Sequence, residues 1–440
     1  IMKWIATTPE KQWQTMQLTD TPASVHRLTL TGEKCQTVEG FGGCFNELSY
    51  IALSSLDKSE QDKVLDELFS KEGCAFNWGR ISVGANDYAE RWYSHNETDQ
   101  DYDMSAFSIA RDEKYVLPYI REAQKRCPDM KFFASPWSPP TWMKNPPVYN
   151  YGRMVRDEKT QLAYCEYFRR FLDAYEKEGV KVSRLCLQNE PFADQKFPSC
   201  LWSSEEFRVF IRDYIGPYFE KNGVDTEIWL GTLNGPTEMD FTMHGIVNDL
   251  YSSYIDNILF DDEARKYISG LGYQWNGQRV IHKTHETFPE LGLMQTENEC
   301  GDGSNNWTYA AYIFDLVRHY FQYGVTVYTY WNMILQPGGS STWGWRQNTM
   351  ITIDPETKTV TYNPEFYVMK HYAHFIKPGA KVLAGSGHWN MSAMAFKNPD
   401  GEIIVVVQNT LDRERTFTFE GEGKSFSAVL APHSMNTFAL

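Results

Sequence analysis

The chain reads as an α/β protein, a closed (β/α)8 barrel with a side antiparallel β-sandwich built from both termini. Three observations predict it. Eight short apolar or β-branched runs alternate with stretches of helical periodicity, the pattern of parallel strands joined by crossover helices. After about Pro378 the pattern changes to closely spaced alternating strands. Carboxylates, amides and indoles gather at the ends of the eight runs, where a barrel of this kind places its active site.

The predicted barrel strands are 38–44, 78–84, 131–137, 184–190, 227–234, 267–275, 292–297 and 325–332. Helix boundaries are written locally. Ser203 and Glu206 suit a capping box, the apolar series Phe207, Phe210, Ile211, Tyr214, Ile215 and Tyr218 keeps a 3.6-residue period, and Asn222-Gly223 offers a left-handed stop. A second helix is expected from Thr160 to Glu178, ending at Gly179, and a third from Trp307 to Tyr323, ending at Gly324. The antiparallel module comprises 392–396, an Asn398-Pro-Asp-Gly401 turn, 403–408, 415–419, 426–430 and 435–440. A strand-like run at 26–31 has no helix after it and is expected to pair with these strands. The expected domains are therefore a barrel over 38–377 and a sandwich from 1–37 plus 378–440.

At 440 residues, 42% of them hydrophobic, the chain can bury a large core and a smaller one. A net charge of -15 and the lack of a basic stripe argue against nucleic acid or an anionic membrane as partner. No run approaches the length of a transmembrane helix. Nothing near the N-terminus resembles a signal peptide, and Ile1 before Met2 looks like an addition to a native start, so a cytoplasmic location is the expectation; removal of a signal before this start leaves secretion open. The eight Cys show no Cys-x-x-Cys pair, which predicts mostly buried free thiols, and the ten His are scattered, so neither a metal nor another cofactor is expected. The oligomeric state is left open.

At the strand ends stand Glu47, Asp87, Trp137, Asn189 with Glu190, Asn234, Tyr273 and Trp275, Glu297, and Trp331 with Asn332. Any single Glu among 57 acidic residues is more often a loop residue. Glu190 and Glu297, however, lie 107 positions apart in matching contexts at the ends of strands four and seven. Two carboxylates facing one cleft are what cleavage of a glycosidic bond requires. Amides hold hydroxyl groups and indoles give a floor under a sugar ring, so the inventory suits a neutral polyhydroxyl substrate. The Gly-rich loop 336–342 after strand eight would also sit where many barrels bind phosphate, but Trp343 and Trp345 accompany it rather than a cluster of cations, which suits a sugar subsite. A phosphosugar enzyme and a non-catalytic carbohydrate-binding protein stay open as rivals.

The motifs Gly40-Phe-Gly-Gly-Cys-Phe-Asn-Glu47, Ala134-Ser-Pro-Trp-Ser-Pro-Pro-Thr-Trp-Met-Lys144, Gln188-Asn-Glu-Pro191, Gln295-Thr-Glu-Asn-Glu-Cys300, Tyr330-Trp-Asn332 and the closing Asn398-Pro-Asp-Gly-Glu-Ile-Ile-Val-Val-Val-Gln-Asn409 resemble glycoside hydrolase family 30 over almost the whole chain. The resemblance implies a retaining hydrolase of β-linked glucose with Glu190 as acid/base and Glu297 as nucleophile, their carboxyl groups about 5–5.5 Å apart. It implies that Arg80 supports the nucleophile, that Glu47 grips sugar hydroxyls, that Asn189 donates to the 2-hydroxyl, and that Trp137 and Trp331 line the pocket. Alignment on the Thr-Glu pair selects Glu297; alignment on the following Cys would select Glu299. The segments at 231–235 and 295–303 resemble the β-1,6-glucanase branch, so β-1,6-glucan or gluco-oligosaccharides are the first expected substrate, with glucosylceramide, a β-glucoside or a β-xyloside second.

Overall fold

A computed structural model describes residues 2–233 and 248–440. Eight parallel strands close into a barrel: β1 (Gly40–Cys44), β2 (Trp78–Val83), β3 (Lys131–Pro136), β4 (Val182–Cys186), β5 (Glu227–Leu233), β6 (Ile268–Gln274), β7 (Gly292–Glu297) and β8 (Val327–Asn332). Each pairs with its sequence neighbours, and β8 closes on β1 through Val327↔Gly40 and Tyr328↔Phe41. The strands are buried on both faces, which is why they read as unbroken apolar runs. Closure depends on small residues in β1. A Cβ on Gly42 would lie 1.9 Å from the Trp78 carbonyl oxygen, so no larger residue fits between β1 and β2.

The floor of the barrel is a plug of Trp78, Phe133, Cys186, Trp229, Met294 and Val327. Arg184 threads it with its guanidinium 4.6 Å from the Trp78 ring and 4.5 Å from the Trp229 ring, and ion-pairs with Glu39 at 2.6 Å. Inward positions on β2 alternate, so two residues above Trp78 comes Arg80, at the level of the mouth.

The three helices with local signals form where expected. Asp157 caps Glu158–Lys177 by accepting from the Thr160 N–H, Ser203 and Glu206 make the full capping box, and Asn306 caps Trp307–Gln322. The second is not uniform: residues Phe210–Ile215 form a π-helical segment just before Pro217, whose ring nitrogen has no N–H to donate. Gly179, Gly223 and Gly324 all take the positive φ of a helix stop.

The terminal module is one continuous nine-stranded sheet, curled so that its halves face each other as a sandwich. In spatial order it runs Gln14–Met16, Lys3–Thr7, Ser434–Ala439, Ile403–Asn409, Ala393–Lys397, Lys381–Ser386, Arg27–Thr37, Arg415–Gly421 and Lys424–Leu430. The N-terminal segment pairs with the C-terminal strands as expected, through Trp4↔Phe438 and Thr418↔Arg27. The expected run at 26–31 is an eleven-residue strand, and Lys3–Thr7 and Lys381–Ser386 were not anticipated. Period two sorts the strand Ile403–Asn409: Ile403, Val405 and Val407 face the sandwich core with Trp4, Trp389, Phe417 and Phe438, while Ile404 and Val406 join the barrel's apolar core.

The eight Cys are free, and among the described residues no helix is long and apolar enough to cross a membrane. The two cores are also tied by polar pairs. His371, fully buried, bonds Thr7 through Nε2 and Thr437 through Nδ1, both at 2.8 Å. Burial, followed by the charges of Lys370 and His374, pushes its pKa down to about 3. Because the folded value lies below the unfolded one, stability from this group is present above the usual His range and is lost as pH falls from about 6.5 towards 3. His371→Ala should lower the unfolding free energy at pH 7 by about 2–4 kcal/mol, read from urea unfolding.

Candidate active site

Arg80 organises the mouth. Its fully buried guanidinium donates from Nε to Ser135 Oγ at 3.0 Å, from Nη1 to Glu297 Oε2 at 2.6 Å, and from Nη2 to Asn189 Oδ1 at 2.8 Å. A buried guanidinium must find such partners, and these come from β3, β7 and the loop after β4. The same cation lies 4.4 Å from the Trp137 ring and 5.5 Å from the Trp331 ring.

Glu297 is the last residue of β7, as expected. Glu190 is not on a strand. β4 ends at Cys186, and the chain then runs irregularly across the mouth, with Asn189 N–H donating to Pro136 O at 2.8 Å and Glu190 N–H to Thr232 O at 2.9 Å. Glu190 has φ +47°, a left-handed conformation that costs a non-Gly residue and that clusters at functional sites.

The two carboxyls differ in electrostatics. Burial raises the Glu190 pKa well above the usual carboxylate range, and the nearby charges of Glu297 and Asp87 raise it further against the opposing pull of Arg80. Burial also raises Glu297, but Arg80 opposes it both by charge and by a direct hydrogen bond. Asp87, the third carboxyl, is pushed up to about 7, by burial first and then by the charge of Glu297. Glu297 is therefore the member held towards its charged form and Glu190 the one held towards its protonated form.

Asn189 Oδ1 also accepts from Gln274 Nε2 at 2.7 Å and from Thr232 Oγ1 at 3.1 Å. With Oδ1 so engaged, Nδ2 is the amide's remaining polar atom. Trp137 and Trp331 stack at 5.6 Å and 24°, and Trp331 Nε1 donates to Gln347 Oε1 at 2.8 Å. Asn332 is fully buried behind them, donating to Gln347 and accepting from Asn46 Nδ2, both within 2.9 Å. Trp343 stacks on Phe197 at 6.0 Å and lies 5.3 Å from Trp345, which is 47% exposed. The Gly-rich loop is folded onto the loop after β2 through Thr342 N–H to Asp87 O at 3.0 Å and Tyr88 Oη to Gly339 O at 2.7 Å.

Three sequence expectations change. Glu47 is not free to grip hydroxyl groups: Arg111 bonds both of its oxygens, at 2.9 and 3.2 Å, and the Glu90 N–H adds a third donor at 2.9 Å. Tyr273 points outward, its hydroxyl bonded to Thr284, because the inward position on β6 falls on its neighbour Gln274. Trp275 begins a short 3-10 turn and packs on the apolar core. Asn234 lies outside the described residues. Gln274, Thr232, Ser135 and Gln347 were missed; an inward polar residue in an apolar strand was the signal for Gln274. Among the described residues no three His, Cys, Asp or Glu side chains gather as metal ligands.

A closed parallel barrel with convergent carboxyls and stacked indoles at its C-terminal mouth defines a barrel glycoside hydrolase. Residues 38–376 match the Glycosyl hydrolase family 30 TIM-barrel domain and residues 379–438 the Glycosyl hydrolase family 30 beta sandwich domain. The chain belongs to glycosyl hydrolase family 30. It is 30% identical over 413 residues to Putative glucosylceramidase 1 of Caenorhabditis elegans, covering 88% of this chain and 76% of that protein. It is 26% identical over 446 residues to the Endo-1,6-beta-D-glucanase neg1 of Aspergillus fumigatus, covering 94% and 86%. The crystal structure of SrfJ from Salmonella typhimurium superposes with a TM-score of 0.89 at 24% identity, over 100% of this chain and 99% of that one.

Removing the cation tests how far the mouth depends on it. Arg80→Gln leaves Glu297 buried without its ion pair and should cost about 3–5 kcal/mol of folding stability in urea unfolding at pH 7, with a smaller loss at pH 4, where the carboxyl can protonate.

Proposed function

We propose that the protein is a retaining β-glucosidic hydrolase in which Glu190 is the acid/base and Glu297 the nucleophile. The observation that carries this is the asymmetry about Arg80, which bonds Glu297 directly and bonds Asn189, the neighbour of Glu190 in the chain, rather than Glu190 itself. In the first step a Glu297 oxygen bonds to the anomeric carbon as the bond to the leaving oxygen breaks, and the Glu190 proton passes to that oxygen. In the second, Glu190, now a carboxylate, takes a proton from water while the water oxygen displaces Glu297 and frees the sugar. Asn189 Nδ2 is placed to donate to the 2-hydroxyl, Trp137 and Trp331 lie under the pocket, and Asp87 is a buried carboxyl suited to hydroxyl groups. Trp343 supplies a further sugar-facing surface, while Asn332 holds the loop beside it.

The substrate we favour is β-linked glucose in β-1,6-glucan or its oligosaccharides. Relatives named endo-1,6-β-D-glucanase, in Aspergillus fumigatus and Neurospora crassa, match 94% of the chain. The indoles Trp343 and Trp345 beside the Gly-rich loop also suit a chain of sugars. A second reading, glucosylceramide or a simple β-glucoside, is supported by the glucosylceramidase relatives. Release of glucose or gluco-oligosaccharides from β-1,6-glucan tests the first; cleavage of glucosylceramide or β-xylosides with none of β-1,6-glucan would replace it.

Glu297→Gln should lower kcat by about 10⁴-fold or more on every substrate. Glu190→Gln should spare kcat/KM on a dinitrophenyl β-glucoside, whose leaving group needs no proton, while losing the disaccharide; equal losses on both would exclude Glu190 as the acid. A sugar-bound crystal structure should place the two carboxyls about 5–5.5 Å apart.

A further inference from the structure

Gln274 takes no part in either proton transfer, yet it sits at the centre of the mouth. It is the last residue of β6 and fully buried. It stands level with Glu297 because β7 carries one extra residue: Tyr273 pairs with Gln295 and Gln274 with Glu297, so Thr296 is passed over. The Tyr320 hydroxyl donates to the Gln274 carbonyl and pins the backbone at that level.

The orientation of two amides follows from one cation. Arg80 has N–H groups and no acceptor, so the Asn189 atom facing its Nη2 at 2.8 Å is the oxygen, Oδ1. The Gln274 atom 2.7 Å from that oxygen must then be a donor, Nε2. Nε2 also donates to Thr232 Oγ1 at 3.0 Å, which leaves the Thr232 hydroxyl proton for Asn189 Oδ1 at 3.1 Å. Donors from β2, β5 and β6 thus converge on one amide oxygen. Arg80 and Thr232 already match its two lone pairs, so the third donor adds restraint rather than satisfaction. An amide held by one bond swings about it; one held from three strands does not. The Gln274 amide also reaches the Glu190 carboxyl.

We propose that Gln274 is a positioning residue for recognition of the sugar 2-hydroxyl: it holds the Asn189 amide in the plane that presents Nδ2 to that hydroxyl. This role rests on the one given to Asn189 in the proposed function. A hydrogen bond to the 2-hydroxyl strengthens as the anomeric carbon gains positive charge, so a tilted amide costs the transition state more than it costs the bound substrate. The arrangement also accounts for a polar residue at the inward position of an otherwise apolar strand.

The test uses Gln274→Met, which keeps the length of the side chain and removes its donor, on a dinitrophenyl β-glucoside and on the 2-deoxy analogue. The leaving group needs no proton, so kcat/KM reads a step in which Glu190 does not act as the acid and the Gln274 contact with it does not enter. Gln274→Met should lower kcat/KM about 10- to 100-fold on the glucoside and less than about 3-fold on the 2-deoxyglucoside. A merely structural amide would lower both alike. Asn189→Ala should show the same selectivity, and the double variant should lose no more on the glucoside than Asn189→Ala alone, because both act through one contact. Equal losses of Gln274→Met on both sugars, or no loss on the glucoside, would overturn the proposal even where Asn189→Ala discriminates. If Asn189→Ala itself lost equally on both sugars, the role of Asn189 would fail and that of Gln274 with it. A wild type that cleaves no glucoside would remove the proposed function and both roles. If near-ultraviolet circular dichroism shows that Gln274→Met fails to fold, Thr232→Val removes the hydroxyl that joins Gln274 to Asn189, and the same outcomes decide.

Discussion

The mouth of this barrel depends on burying one guanidinium. Arg80 is taken out of water midway along β2, and that burial is tolerable only if charge and geometry are answered on every side. Glu297 answers the charge, while Ser135, Asn189, Thr232 and the Thr296 carbonyl accept from the other N–H groups and two indoles lie beside the cation. One requirement of solvation therefore gathers residues from strands far apart in sequence. It also separates the two glutamates chemically, since a cation bonded to one of them lets the other keep its proton.

A second buried cation performs a structural version of the same task below. Arg184 sits between two indoles and pairs with Glu39, whose other oxygen accepts from Thr326 Oγ1 at 2.6 Å, tying the floor to the start of β1 and the turn into β8. The terminal sheet then packs on the barrel with one face of Ile403–Asn409 and folds over its own core with the other. His371, neutral and bonded at both nitrogens, lets that contact carry buried polar groups without burying a charge.

Much of this was legible in the chain because the signals are local. Strand runs, the Ser203 capping box, the glycine stops and the turn at 398–401 depend on neighbours a few residues away, and Glu297 falls at a strand tip because β7 is regular. Where regularity fails, the reading fails with it. Glu190 was expected at a strand tip and stands beyond one, on backbone that breaks the ladder. On β6 the period of two was visible but not its phase, so Tyr273 was preferred to Gln274. Glu47 carried the right charge at the right level, yet Arg111, 64 residues away, decides what that charge does.

The sequence by itself determined the number and order of the barrel strands, the presence of a sandwich drawn from both termini, and the carboxylates, amides and indoles that would stand at the strand ends. These follow from hydrophobic period and turn chemistry, which act over a few residues. Only the tertiary structure decided which carboxyl receives Arg80 and which polar side chain of β6 turns inward. Those outcomes depend on desolvation and on partners brought together by barrel closure, and no spacing along the chain records them.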